Sequence, residues 1–275
     1  MNMKVIDIHT HIYPDAISAK ATKALGEFYD FIVEGGGTYA DIEREAESTK
    51  GQKYEMAGFL FLAVATSAHQ VPKVNDFVAH EAALSRSHGY FTKAFGGMHQ
   101  DIEDFEGEIA RCESMGLHGI KIHPDIQRFD LLDERMYRLC EVMEGRMTLF
   151  LHIGDYREEY QYSNPKKLAK LMDAFPRLEV VAAHFGGYTC WDGQSDCLFG
   201  RDNIYFDLSS ALWAMTPEKA RELIDKCGRD RVMYGSDYPV KTLHNYLDLF
   251  DRLGLDDSLA EDILYNNAMR FLADK

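Results

Sequence analysis

No apolar run in this 275-residue chain reaches the ~18 residues that a membrane-spanning helix needs, so no such helix is expected. Cysteine is sparse and shows no paired pattern. Cys112, Cys140, Cys190, Cys197 and Cys227 form an odd count without CxxC, which argues against a disulfide framework and against zinc-knuckle spacing. Reduced thiols in a cytoplasmic protein are the expectation, and Cys190 and Cys197, on either side of an acidic loop, are read as two independent thiols. The run Met1-Asn2-Met3-Lys4-Val5 enters a strand pattern directly and has no signal-peptide composition. Positive charge is also short, with 30 Lys and Arg against 45 Asp and Glu and a net charge of −15. Such a surface repels nucleic acid and anionic membranes, which leaves a small-molecule substrate as the expected partner. Self-association into a homo-oligomer is compatible with the sequence. Several signatures are missing as well: no GxGxxG follows the first strand pattern, and there is no GxSxG elbow, Walker A loop or HExxH.

What is present is a regular alternation. Short apolar, β-branched runs occur at Lys4–Asp7, Gly58–Val64, Phe91–Gly97, Leu117–His123, Thr148–His152, Glu179–His184, Ile204–Leu208 and Arg231–Gly235. Amphipathic stretches lie between them: Asp15–Phe31, Pro72–His88, Asp101–Met115, Asp133–Gly145, Asn164–Phe175, Pro217–Cys227 and Leu243–Leu253, with a last helix at Ser258–Ala273. Runs that are mostly not interrupted by polar residues belong to strands buried on both faces, as in parallel sheets. Eight strand–helix units predict a single closed (β/α)8 barrel, one domain over residues 1–275, since such a barrel takes ~250 residues. Two connections are long. One, Glu34–Ala57, holds Gly35-Gly36-Gly37 and a helix-like Tyr39–Thr49; the other, Gly186–Asp202, carries Cys190, Trp191 and Asp192. Long strand-to-helix loops commonly cover a barrel's active site.

Barrel chemistry sits at the C-terminal ends of the strands. Of 11 histidines, His9, His11, His99, His123, His152 and His184 fall at such ends, and the eighth strand ends in Gly235-Ser236-Asp237. His9 and His11 are two apart, so alternation along a strand turns both toward the barrel axis. Imidazole is the commonest metal ligand, and His152 and Asp237 can complete a shell from the far side of the ring. A single His at a strand end is usually polar lining; the HxH pair, the later strand-end histidines and the Gly-Ser-Asp together carry the metal expectation. Asp237 and His184 are the candidate catalytic groups, the latter as a general acid/base beside two glycines. Lys121 shares a strand face with His123. These two, with His99, Tyr13, Arg157, Trp191, Arg128 and Tyr238, are candidate substrate contacts, each weighed against a packing or solvated role.

Asp7-Ile8-His9-Thr10-His11, Gly119-Ile120-Lys121-Ile122-His123-Pro124, His152-Ile153-Gly154, Ala183-His184-Phe185-Gly186-Gly187, Tyr205-Phe206-Asp207 and Tyr234-Gly235-Ser236-Asp237-Tyr238-Pro239 together resemble the amidohydrolase superfamily, in its amidohydrolase-related branch of TIM-barrel metal-dependent hydrolases. The likeness runs from Val5 to Asn266-Asn267-Ala268. It implies a divalent metal, zinc above others, on His9, His11, His152 and Asp237, with His184 near the catalytic water. The branch also holds decarboxylases, among them aminocarboxymuconate-semialdehyde decarboxylase, and a lactonase that works without metal. Two-metal members often use a carboxylated Lys at the end of strand 4. Here His123 stands at that end and Lys121 two residues earlier, which favours one metal. The expected activity is hydrolysis of a small cyclic amide, lactone or carboxylated ring compound by metal-activated water. Non-oxidative decarboxylation is the alternative, and a non-catalytic ligand-binding barrel is a remote third that the intact ligand set counts against.

Overall fold

The computed structural model describes residues 2–273 and 275; Met1, the first residue of the N-terminal run read above, lies outside them. Eight strands run in sequence order and pair in parallel: β1 (Met3–Thr10), β2 (Tyr54–Leu62), β3 (Phe91–Gly97), β4 (Gly119–Ile122), β5 (Thr148–Leu151), β6 (Val180–Ala182), β7 (Ile204–Asp207) and β8 (Val232–Met233). The ring closes between β8 and β1. There the Ile8 amide donates to the Tyr234 carbonyl at 3.0 Å, the Asp237 amide to His9 at 2.9 Å and the His11 amide to Tyr238 at 2.7 Å. The fold is a single (β/α)8 barrel, as the alternation predicts.

The helices on the outside are set by their caps as much as by their apolar faces. Asp104, Asp133, Asn164, Thr216, Thr242 and Asp256 each accept a backbone N–H of the first turn that would otherwise lack a partner. Thr38 and Asp41 form a reciprocal capping box on helix Tyr39–Ser48, in the first long connection. Two packing zones result. The faces of β2, β4, β5, β6 and β7 that carry Phe59, Ile120, Leu149, Val180 and Phe206 pack in the larger cluster with helix residues such as Ile42, Ile109, Leu139, Leu168 and Leu223. A second cluster joins Ile6, Ile8, Leu60, Phe95, Phe150, Val181 and Met233 with Ala268 and Phe271 of the C-terminal helix Asn267–Leu272.

β1 is not a regular strand. Its register against β2 shifts twice, between Val5 and Ile6 and between Asp7 and Thr10. Ile8 packs in the same cluster as Phe150, yet the His9 ring also meets Phe150 edge-on at 5.0 Å. Strict alternation would send these neighbours to opposite faces; a register irregularity next to a site re-aims side chains in this way. The long last helix read over Ser258–Ala273 is three pieces, Asp257–Glu261, a π-helical turn at Asp262–Asn266, and Asn267–Leu272.

Candidate metal and active site

The C-terminal strand ends bring five imidazoles, three carboxylates and one amine into contact. His9 Nδ1 lies 2.8 Å from Asp207 Oδ2, so this nitrogen carries the proton and donates it to the carboxylate, leaving Nε2 as a bare lone pair. His11 Nδ1 donates to the Leu62 carbonyl at 3.0 Å, which leaves its Nε2 bare as well. These two nitrogens face each other at 3.2 Å, and Asp237 Oδ1 stands 3.2 Å from the first and 3.6 Å from the second. Among themselves these three acceptors have no hydrogen to share and repel one another; Lys121 Nζ, 3.2 Å from His9 Nε2, offers a hydrogen to the first of them only. Their spacing matches the ~3.3 Å edge of a tetrahedral shell with Zn–N near ~2.05 Å. The donor set therefore fits a divalent cation. Gly235 permits this approach of β8 to β1, because a Cβ there would lie 2.8 Å from His9 Cβ.

Asp237 sits in the left-handed region at φ 62, and the Ser210 hydroxyl donates to its Oδ2 at 2.6 Å. Burial pushes its carboxyl up. Against burial, the Ser210 bond holds it down, and His9, His184 and His11 add to this only to the extent that a ring carries a proton; the carboxyl lies below the usual carboxylate range. Asp207 is fully buried and held down in the same way, against burial, by His9, by His184 and by Ser209. Asp7, the first residue of the DxHxH run, accepts the His9 and Ser236 amides at 3.0 Å each. Burial raises its carboxyl to about 7, and its Oδ2 has no partner among the described residues.

The same proton accounting applies to the second pair. His184 Nδ1 faces the Ser209 carbonyl at 2.8 Å and so donates; His152 Nε2 faces the Gly154 carbonyl at 2.9 Å and also donates. Their remaining nitrogens, His184 Nε2 and His152 Nδ1, are 3.0 Å apart, again two lone pairs in opposition. Burial makes the imidazolium form costly for both, lowering His184 to about 4 and His152 well below its ordinary value. The backbone of His184 is left-handed at φ 59, anchored by its amide to Asp207 Oδ1 at 3.0 Å.

The structure thus gathers His9, His11 and Asp237 of the expected ligand set within 4.8 Å of one another, while the His152 nitrogens fall in an adjoining group with His123 and Asp125. That adjoining group is a poor cage for an ion. The His123 and His152 rings stack at 4.0 Å with a tilt of only 12°, so their in-plane lone pairs run parallel and do not converge. His152 and His184 join the two groups through the 3.0 Å contact of their bare nitrogens.

Lys121 is 1% exposed, with Nζ 3.2 Å from His9 Nε2 and 4.5 Å from the centre of the Phe150 ring. Burial lowers it to about 8 despite the pull of Asp237 and Asp207, and it forms no ion pair among the described residues. His123 lines the site through Tyr29, whose hydroxyl is 2.7 Å from its Nε2. Tyr13 is bound through its amide to the Gly37 carbonyl; its phenol is pushed up by burial and then by the charge of Asp237. Tyr238 is fully buried, its hydroxyl accepting the Gly37 amide at 3.3 Å. Trp191 donates to the His184 carbonyl at 2.7 Å and so supports the site from behind. Arg157 grips Asp155 with two nitrogens and donates to the Phe28 carbonyl at 2.7 Å, which leaves little of its fork for a ligand. His99 pairs with Asp101 at 3.7 Å on the next loop, and Arg128 is exposed at the end of a short turn.

Sequence reasoning passed over Tyr29, Ser209 and Ser210 and gave Asp207 no role. Asp207 ends β7 and the two serines follow it, so an Asp-x-Ser-Ser run at the end of a strand is the readable signal. Tyr29 ends a helix and has none.

The amidohydrolase family model matches residues 6–273. The chain belongs to this family. Similar solved structures include an uncharacterized TIM-barrel protein from Bordetella bronchiseptica (18% identity, 98% of this chain and 99% of that one, TM-score 0.74). Another is 5-carboxyvanillate decarboxylase from Sphingomonas paucimobilis (15% identity, 99% of each chain, TM-score 0.71). A third is a candidate 2-pyrone-4,6-dicarboxylic acid hydrolase from Pseudomonas putida (17% identity, 99% and 98%, TM-score 0.66). At these identities the likeness shows the fold. No curated protein matches the sequence significantly. No helix among the described residues is long and apolar enough to cross a membrane.

Proposed function

We propose that the protein is a metal-dependent hydrolase of a small ring compound, a cyclic amide, a lactone or a carboxylated ring. One divalent ion, zinc by preference, is held by His9, His11, Asp237 and His152. The observation that carries this reading is the Asp237 carboxylate, with one oxygen beside two proton-free imidazole nitrogens and the other fixed by Ser210. When bound, such an ion polarises a carbonyl and lowers the pKa of water to ~7. Asp237, kept ionised, is the group to take the proton of an attacking water and return it to the leaving group. His184, with a bare Nε2, orients that water.

Decarboxylation is the second reading, favoured by one observation. Lys121 is a buried amine without a carboxylate partner, and a substrate carboxylate would supply one. The decarboxylase among the similar structures is consistent with it.

Incubation with lactones, cyclic amides and aromatic carboxylates in 18O-labelled water tests the choice. Label entering the product is the expected result; carbon dioxide release without label would transfer the reading to decarboxylation. The purified protein should hold about one equivalent of metal by elemental analysis, and a His9→Ala/His11→Ala variant should lose it. Full retention by that variant would remove both residues from the site.

A further inference from the structure

Helix Asp15–Tyr29 follows β1 and delivers its last residue to the histidine cluster. The Tyr29 hydroxyl is 2.7 Å from His123 Nε2 and 3.4 Å from His152 Nε2. His123 Nδ1 accepts the Ile126 amide at 3.3 Å, so its proton is on Nε2 and is donated to the Tyr29 oxygen. His152 Nε2 gives its own proton to the Gly154 carbonyl. Neither ring offers a lone pair to Tyr29, and its hydroxyl hydrogen is left without an acceptor among the described residues. Tyr29 as a residue is only partly buried, while burial raises its phenol well above the ordinary value, so the unclaimed donor sits inside the site beside His123 and His152.

The surroundings indicate what kind of ligand. Tyr29 stacks on Phe31 at 5.4 Å with planes 1° apart and meets Tyr188 edge-on at 5.6 Å. Phe31 and Tyr188 in turn each meet Trp213, at 6.1 and 6.5 Å. The Trp213 Nε1–H is buried and likewise has no partner among the described residues. A wall of aromatic faces and edges carrying two uncommitted donors suits a flat ring bearing oxygen acceptors, since aromatic faces gain from planar contact and buried donors need acceptors.

We infer that Tyr29 is a substrate-contacting residue that donates its phenolic hydrogen to an oxygen of a planar, oxygen-bearing ring lying against this aromatic wall. The inference rests on the metal-dependent ring-compound reading above and specifies its substrate class. Benzoate is the simplest probe of that class, and cyclohexanecarboxylate has the same charge without the planarity. The chain has only 2 Trp, Trp191 and Trp213, and both touch Tyr188, so intrinsic fluorescence reports the wall directly. Calorimetry supplies an independent affinity.

In the purified metal-containing protein, benzoate should bind at least about tenfold more tightly than cyclohexanecarboxylate. Tyr29→Phe keeps the ring packing and should weaken benzoate about tenfold, the scale of one hydrogen bond to a charged oxygen. Wild-type benzoate affinity in Tyr29→Phe would overturn the role of Tyr29, and equal affinity for the two acids would overturn the planar class. A protein that keeps its metal and binds neither acid sinks this inference alone. A protein with no metal and no turnover of any ring compound sinks the reading beneath it, and the benzoate titration of the two proteins still decides Tyr29.

Discussion

Asp207 accepts four hydrogens at once: the Nδ1 proton of His9, the amide of His184, and the hydroxyl and amide of Ser209. It touches no expected substrate, yet it decides which nitrogen of His9 is free. Partners of this kind typically account for ~10–100-fold in metal affinity. Asp207→Asn should therefore fold and bind metal about 10–100-fold more weakly in competition against a chromogenic chelator; unchanged affinity would mean that Ser209, 2.8 Å from the same nitrogen, fixes the tautomer alone. His184 is the converse case. A His184→Asn variant should keep its metal and lose activity by about 10²-fold or more if the ring does acid–base work, and normal turnover would reassign it to packing. At this scale the sequence was readable wherever a chemical type met a strand end. His9, His11, His184 and Asp237 stood out for that reason. Arg157 was misleading because a guanidinium near a mouth looks like a substrate clamp, although Asp155 two residues earlier already claims it. Tyr29 was invisible, since only the direction of a helix axis brings it to the histidines.

The element that carries Tyr29 is latched from outside. Arg157 lies over Phe28, Tyr29 and Tyr160 at 4.7, 5.3 and 4.2 Å while bound to the Phe28 carbonyl and to Asp155. A loop after β5 thus fastens the end of the helix after β1. Removing only the arginine would strand the buried Asp155 charge, so the clean variant is Asp155→Asn/Arg157→Gln. Amides of residues 26–37 should exchange with deuterium at least about tenfold faster in that variant, with the barrel strands unchanged, because local opening is governed by such contacts. Equal exchange would show that the aromatic packing suffices. Strand existence was legible and strand length was not. The run Arg231–Gly235 reads as one strand, but only Val232–Met233 pairs as such, because the Tyr234 amide turns away to the Ile263 carbonyl at 2.8 Å. Burial on both sides gives these residues the same apolar character whether or not they complete the ladder, so hydropathy cannot mark the boundary.

Across the whole molecule, the site concentrates groups that burial has moved in opposite directions. His11 is lowered to about 3 and His184 to about 4, from 6.5, and His123 and His152 are lowered well below that value, all chiefly by burial. Each stays neutral in the folded chain and takes up a proton on unfolding. Its stabilisation is present above about pH 6.5 and is lost as pH falls toward the folded value. Asp7 and Asp125 run the other way, raised by burial from 3.8 to about 7 and about 6. Their stabilisation is present below 3.8 and lost as pH rises through those values. Between pH 4.5 and 6.5 the four histidines gain more than the two carboxylates lose, so the melting temperature of chelator-treated protein should rise across that window. Metal should steepen the rise, because it binds unprotonated imidazoles and only the folded arrangement of them. Differential scanning calorimetry at half-unit steps, with and without zinc, measures both slopes. Asp7→Asn/Asp125→Asn removes the opposing pair and should make the metal-free rise steeper. A melting temperature that falls between pH 4.5 and 6.5 would mean that the buried histidines are charged at neutral pH, and the two opposed lone-pair contacts on which the metal reading stands would then be ordinary N–H to N hydrogen bonds.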